Sequence, residues 1–366
     1  MKRMIRLRNS LLFMGGILVL FAAIPELSAT TLYVGNCKPN GYTTIQQAID
    51  AAHVGGKVQV CPGEYYEQVK ITRAVTVQGI TDNSGDCARI FPPTSGLVAN
   101  VTDAYGRSVS AQVLVQNSGG MVNLSGFYIN AFANKVTSGD LAGIFYQNSS
   151  GTINGVTAYG QTNGGDGIGV GIWVEGGAAK PSVTVQNNLS YGGSYASIVV
   201  ETAGQPNTHL TARVANNSVW VPSVNNGNGI VVVSGATVTI SGNSVTSDNH
   251  GYGLWIGPDT TGSVSDNDIT GAQVGIKTYA DNVAITSNKL QVNNTKGIDL
   301  QTAVGIVKDN LIVNPLVGIE FNCIANPNVR SNTINYATGV GLDQIPSGLS
   351  TSTNKIFVTA VGRRGC

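Results

Sequence analysis

Gly275-Ile276-Lys277-Thr278-Tyr279, with Asn288 after it, and Gly297-Ile298-Asp299-Leu300-Gln301, with Asn310 after it, are two copies of one pattern. A Gly followed by Ile or Leu opens a short alternating segment, a turn follows, and then comes an Asn with an apolar residue two positions on. The pattern extends to Gly229-Ile230 with Asn243, Gly253-Leu254 with Asn267, Gly318-Ile319 with Asn332, and Gly341-Leu342 with Asn354. From Asn243 onward the Asn spacings are 24, 21, 22, 22 and 22 residues. Gly143-Ile144, Gly171-Ile172 with Asn188 and Ser197-Ile198 with Asn217 are looser copies, with insertions that should emerge as loops on one side. In residues 297–301, Ile298 and Leu300 share one face of a strand while Asp299 and Gln301 share the other. A unit this small cannot bury its apolar face alone and becomes stable when the next unit continues the same core. The reading is therefore all-β: a single-stranded parallel β-helix, a solenoid of three short strands per coil.

The recurring Asn has a role in that architecture. At one corner of every coil its amide can donate to the side-chain carbonyl of the next Asn, satisfying polar groups that would otherwise be buried unpaired. Asn243 through Asn354 are accordingly assigned to the scaffold and kept out of any active site. The recurring Gly is expected where a turn needs unusual backbone angles or where backbones approach closely.

Composition agrees. Only 11% of the 366 residues are charged, against ~25% in ordinary proteins, and 47 are Gly against 12 Pro. A hydrophobic share of 42% with a net charge of +1 excludes disorder, and the missing Gly-X-Y period excludes collagen. Lys2, Arg3, Arg6 and Arg8 precede an apolar run from Leu11 to Ile24, and Ser28-Ala29 suits cleavage, so residues 1–29 read as a secretory signal peptide. The run falls short of the ~20 residues that span a bilayer. Residues 30–366 then form one β-helix domain, placed in the periplasm, at the cell surface or outside the cell, with no membrane span after leader removal. Removing those four basic residues and Glu26 from 21 basic and 20 acidic residues leaves 17 and 19, a net charge of −2. A near-neutral surface without a basic stripe argues against nucleic acid as partner. Cys37, Cys61, Cys87, Cys323 and Cys366 all lie in the exported part, where disulfides persist. Cys37 with Cys61 and Cys323 with Cys366 are candidate pairs that spacing alone does not settle, and Cys87 is the simplest leftover.

At the amino-terminal end Thr31-Leu32-Tyr33-Val34 reads as a strand, and Ile45, Ala48, Ile49 and Ala52 recur at helical spacing. Thr43 or Thr44 can cap this helix and Gly55-Gly56 can end it. Lying over the first coil, it would close the end of the core. The segments Thr44-Ile45-Gln46-Gln47-Ala48-Ile49, Val60-Cys61-Pro62-Gly63-Glu64-Tyr65 and Glu67-Gln68-Val69-Lys70-Ile71, followed by Val75-Thr76-Val77-Gln78-Gly79, resemble the opening of pectin-lyase-like proteins, pectinesterases included. The later repeats resemble the right-handed parallel β-helix repeats of that superfamily, NosD-like proteins among them. The resemblance implies the fold. It implies no single activity, because the superfamily holds lyases, hydrolases, esterases and proteins without known catalysis. The catalytic motifs of its members do not carry over: there is no Asp-Asp pair and no Gln-Asp motif, and Asn249-His250-Gly251 matches only half of a Gly-His-Gly signature. Copper handling would need Met and His ligands, and the exported part has Met121 with the scattered His53, His209 and His250.

The candidate site is the outward column two residues after each repeat Gly: Trp173, then Trp255, Lys277, Asp299, Glu320 and Asp343. From Trp255 to Asp343 these fall on consecutive coils, a row about 19 Å long at ~4.8 Å per strand. A neighbouring outward column adds Glu175, Glu201, Tyr279, Gln301 and Asn322. Aromatic rings beside carboxylates and amides suit a sugar chain laid along a solenoid. The primary expectation is polysaccharide binding, with Trp173, Trp255, Tyr279, Gln301 and Asn322 as contacts. The alternative is a polysaccharide lyase or glycoside hydrolase in which Asp299, Glu320 and Asp343 supply the paired carboxyls that such chemistry needs and Lys277 a base. A structural cell-surface scaffold is the third reading. On the bland reading, Lys277 and Asp299 make an exposed ion pair of little weight. No cofactor is called for and no metal site is assigned. Asn163-Gly164-Gly165-Asp166-Gly167 offers one carboxylate where calcium wants six or more oxygens.

Overall fold

A computed structural model describes residues 31–136, 139–162, 167–202, 208–221, 227–293, 295–302, 305–323, 328–358 and 360–366. The signal-peptide segment and most of the Asn163–Gly167 turn lie outside the described residues. Strands of three to nine residues, with the two-residue Val101–Thr102, assemble into three sheets of 12, 12 and 13 strands. Each coil contributes one strand to each sheet, and successive coils pair in parallel. Lys296–Leu300, for example, pairs with Val274–Thr278 below it and Val317–Glu320 above it. Among the described residues, antiparallel pairing between strands occurs only where Val101–Thr102 folds back on Ser108–Gln116.

Alternation does the packing. Ile276, Ile298, Ile319 and Leu342 sit in register on consecutive coils and are fully buried in one apolar column. Similar columns from the other two sheets meet them, so a single core runs from Val34 to Leu342. Each fully buried aliphatic side chain contributes roughly 1.5–3 kcal/mol of transfer free energy.

The Asn column is a ladder at the corner between the first and second sheets. Asn188, Asn217, Asn243, Asn267, Asn288, Asn310, Asn332 and Asn354 follow one another, each Nδ2 donating to the next Oδ1 at 2.8–3.0 Å. The backbone N–H of each also donates to that Oδ1. The residue before each of the first seven, Asn187, Asn216, Gly242, Asp266, Ser287, Asp309 and Ser331, is left-handed with φ between 54° and 65°. Asn and Asp tolerate that region best among residues with a Cβ. The repeat glycines therefore serve close approach and not the left-handed turn: a Cβ on Gly297 would lie 2.4 Å from Ile312 Cγ2 and 2.6 Å from the Gly318 carbonyl oxygen.

The helix Ile45–Ala51 is capped by Thr44, whose side chain accepts from Gln47 N–H at 3.2 Å. The Glu67 carboxylate accepts from the Ile45 and Gln46 N–H groups at 2.8 and 3.0 Å, filling two more of the unsatisfied first-turn donors. Ile45, Ala48 and Ile49 are buried in the core beside the first strands. Disulfides join Cys37 to Cys61 and Cys323 to Cys366, and Cys87 is a free thiol. No helix among the described residues is long and apolar enough to cross a membrane.

Candidate functional site

The outer face of the third sheet carries the chemistry. Its central column runs in register through Lys70, Leu114, Phe145, Trp173, Val199, Val231, Trp255, Lys277, Asp299, Glu320 and Asp343. The five residues from Trp255 to Asp343 are vertical neighbours, as their repeat positions require. Outward does not mean solvent-exposed, however. Asp299, Glu320 and Asp343 keep 2%, 7% and 1% of their surface accessible, because neighbouring cations and amides lie over them.

Asp299 has Lys277 Nζ and Lys296 Nζ each at 3.7 Å from Oδ2, and Oδ1 accepts from Gln301 Nε2 at 2.6 Å and Asn322 Nδ2 at 2.9 Å. Lys296 also pairs with Glu320, which accepts from Gln344 Nε2 at 2.9 Å. Asp343 is held by a two-point pair with Arg364 of the carboxy-terminal tail. The Lys277–Asp299 pair is thus a covered one and not the exposed pair that an outward position suggested. Burial pulls the Lys277 ammonium down, but its bond to Tyr279 and the charges around it outweigh that, so its pKa lies above the ordinary lysine value. Its Nζ lies 5.3 Å from the Tyr252 ring centre and 5.4 Å from that of Tyr279. Trp255, Tyr252 and Tyr279 remain half-buried, with Trp255 and Tyr279 centred 5.8 Å apart. A cavity of about 360 Å³ opens here between Tyr252, Lys277, Lys296, Asp299 and Leu316.

In the five coils before Trp255 the same column is different. Leu114, Phe145, Trp173, Val199 and Val231 form a second apolar cluster outside the core, with Val101 and Val109 packed on it. Trp173 is fully buried: Phe145 packs against it at 4.9 Å, and the Arg107 guanidinium sits 5.4 Å from its ring centre. It is therefore not the open stacking platform that its column position suggested. Its Nε1–H donates to Glu201 Oε1 at 2.6 Å.

Around that bond lies a carboxyl cluster whose full extent is not apparent from the repeat. Asp103, Glu175 and Glu201, all buried, each place an oxygen within 4.8 Å of the other two. Asp103 sits in the tight loop before Ser108–Gln116. Its Oδ1 accepts from the Tyr105 and Arg107 N–H groups at 3.0 and 2.7 Å, and its Oδ2 from Arg107 Nε at 2.6 Å. Glu175 accepts from Ala104 N–H and Gln147 Nε2, both at 2.8 Å. Asp140 lies 3.4 Å from Arg107 Nε. Burial, reinforced by the charge of Glu175, pushes the Glu201 carboxyl up to about 8. Burial raises Glu175 and Asp140 as well. Three carboxylates this close could share a cation, but the Arg107 guanidinium already occupies the side of Asp103, and N–H donors take the oxygens of Asp103 and Glu175. Protons and internal donors suit the set better than a metal ion. A second cavity of about 360 Å³ opens above Glu201 between Tyr105, Tyr195 and Val233.

Sequence reading placed Glu175 and Glu201 in an outward column but assigned them no role, and it missed Asp103, Tyr105, Arg107, Asp140, Tyr195 and Lys296. The signal available was the long stretch between Phe91 and Ser108, which breaks the repeat spacing.

Residues 206–357 match the family model described as Right handed beta helix region. Among solved structures, PfbA, a surface adhesin of Streptococcus pneumoniae, is 14% identical with a TM-score of 0.52, covering 87% of this chain and 88% of that one. The GH136 lacto-N-biosidase from Eubacterium ramulus is 12% identical with a TM-score of 0.51, covering 92% and 68%. DFA-IIIase from Arthrobacter chlorophenolicus in complex with GF2 is 12% identical with a TM-score of 0.50, covering 93% and 86%. At such identities the likeness is one of fold. No curated protein sequence matches the chain.

Proposed function

The chain being a right-handed parallel β-helix of the pectin-lyase-like fold, we propose that it binds polysaccharide along the outer face of the third sheet, outside the cytoplasm. The observation that carries this is the in-register row from Trp255 to Asp343, with accessible Trp255, Tyr252 and Tyr279 rings beside a cavity and a balanced set of charges. Half-buried rings offer faces to sugar C–H groups, while Lys277 and the second amide hydrogen of Gln301 offer donors to hydroxyls and the Asn322 side-chain carbonyl an acceptor. Three cations against three carboxylates leave the row neutral, which suits a chain of hydroxyls and gives no reason to exclude acidic sugars. The basic, apolar leader and the two disulfides support export. Proteins of this fold include an adhesin, a lacto-N-biosidase and an enzyme captured with GF2. The helix Ile45–Ala51 serves in this reading as the cap on the amino-terminal end of the core.

The enzymatic alternative through Asp299, Glu320 and Asp343 with Lys277 as base has less support. Each of those carboxylates is already engaged by a cation, and Lys277 holds its proton more firmly than an ordinary lysine. The test is retention on immobilised neutral and acidic polysaccharides, with new reducing or unsaturated ends measured in the same incubation. Retention without cleavage is expected, and Trp255→Ala is expected to weaken it about tenfold, the loss of one stacked ring at ~1–1.5 kcal/mol. Retention unchanged in Trp255→Ala, or absent on every polymer, overturns the reading. Cleavage that Glu320→Gln abolishes replaces it with the enzymatic one.

A further inference from the structure

The cavity above Glu201 is separate from the charged row and asks for different chemistry. Glu201 keeps 1% of its surface accessible, and among the described residues only its Oε1 has a hydrogen-bond partner, the Trp173 indole. Oε2 accepts no hydrogen bond among the described residues, although the group lines the cavity. Around it stand the rings of Tyr105, Trp173 and Tyr195, and the aliphatic chains of Ile168, Val199 and Val233 complete the wall. Arg107 is the one cation in the group, against the carboxyls of Asp103, Asp140, Glu175 and Glu201. Its guanidinium already lies 5.3 Å from the Tyr105 ring centre and 5.4 Å from that of Trp173, so these ring faces accept positive charge.

We propose that this cavity binds an organic ammonium ion with an apolar body, its charged nitrogen against Glu201 Oε2 and its body against the three rings and three aliphatic chains. Each ligand class meets a different fate in the pocket. An anion meets an excess of carboxyls. A neutral polyhydroxyl ring would strip its hydroxyls of water and find few partners in a mostly apolar wall. An ammonium supplies the second cation that the four carboxyls lack, and aromatic faces beside a carboxylate are the surroundings that recognise one. Below about pH 8 Glu201 holds a proton, so binding expels that proton. The groups facing Glu201 are Glu175, Asp103, Tyr105, Tyr195 and Arg107, with Asp140 behind Arg107. Burial raises Glu175 and Asp140 in the same direction and Arg107 stays charged, so the share of the slope that belongs to Glu201 is the part that Glu201→Gln removes.

Calorimetric titration of the full chain with benzyltrimethylammonium, whose charge does not depend on pH, and with the neutral benzyl alcohol tests this between pH 6 and pH 9. The expected result is binding of the cation at least tenfold tighter than the alcohol at pH 8. Its affinity should rise with pH up to about 8 and then level, with proton release below that point. Glu201→Gln should lower the cation's affinity at least tenfold. Val233→Trp, which adds bulk to the cavity wall and leaves the Glu201 carboxyl in the chain, should abolish binding while leaving polysaccharide retention unchanged. Equal or tighter binding of benzyl alcohol, affinity that falls as pH rises, binding indifferent to both substitutions, or no binding of the cation would each overturn the proposal. Because retention on polysaccharide is read separately, failure here leaves the charged-row reading standing, and failure there leaves this one.

Discussion

The two ends of one column behave as different materials. From Trp255 to Asp343 the outer face of the third sheet holds three carboxylates matched by Lys277, Lys296 and Arg364. From Leu114 to Val231 it holds an apolar cluster under a folded-back segment, where four carboxyls share the single guanidinium of Arg107. The strands beneath are equivalent in register and pairing, so the coil itself does not make the difference. The inserted loop does: it buries Asp103 against Glu175 and Glu201 and supplies only one cation. Where charges are balanced, the carboxylates stay ion-paired. Where they are not, burial raises the pKa of Glu201, Glu175 and Asp140.

Among single substitutions the largest expected effect comes from removing Arg107, the cation of this carboxyl cluster. Arg107→Leu leaves the fully buried Asp103 side chain without its charge partner. Breaking such a pair costs about 3–5 kcal/mol when both partners are buried, and about 2–3 is expected here because the guanidinium is partly exposed. Hydrogen exchange at the Ala104, Tyr105 and Arg107 amides, which bond Glu175 and Asp103, should quicken first, while the coils carrying Asp299 and Glu320 are unmoved. Exchange that quickens equally in both halves would erase the contrast.

Next is the dependence on pH. Unfolded Glu201 loses its proton near the ordinary ~4.3, whereas in the folded chain it keeps it to about 8. Between those values the folded state binds more protons than the unfolded state, so stability falls as pH rises, by about 1.4 kcal/mol per unit for the one group, and levels above 8. Glu175 and Asp140, also raised, add to the same trend. The stability contributed by protonated Glu201 is fully present below the unfolded value. Glu201→Gln should flatten the curve of unfolding midpoint against pH. An unaltered curve would mean that Glu201 is ionised in the folded chain.

The sequence made the coil legible for a physical reason. Ile298, Asn310 and Gly297 each answer to a vertical neighbour of the same kind, so the constraint repeats every coil and shows as spacing. The row from Trp255 to Asp343 was legible for the same reason. The Asp103–Arg107 loop was not, because it occurs once, and its partner Glu175 lies far along the chain, joined to it by an Ala104 backbone N–H that any residue could supply. Burial was equally hidden. Alternation tells which way Asp299 points but not that Lys277, Lys296, Gln301 and Asn322 close over it. The carboxy-terminal tail was half legible: Cys366 stood out as a candidate partner of Cys323, to which it is bonded, whereas nothing in the repeat pointed to Arg364 as the cation on Asp343.

The smallest expected effect lies in the carboxy-terminal half and sharpens the comparison from the other side. Lys277 and Lys296 both stand 3.7 Å from Asp299 Oδ2, so either can hold the charge when the other is gone. Lys277→Met should therefore cost no more than about 1 kcal/mol in unfolding free energy, with the methionine keeping much of the packing against Tyr252 and Tyr279. Lys296→Met should cost somewhat more, because Glu320 loses its cation too. The double substitution strips Asp299 of both, and its cost should exceed the sum of the singles by about 1 kcal/mol, the sign of two groups serving one carboxylate. Strict additivity would show that one lysine alone carries the pair. The redundancy would then be geometric only, and the carboxy-terminal half would be as vulnerable to a single lost cation as the half that depends on Arg107.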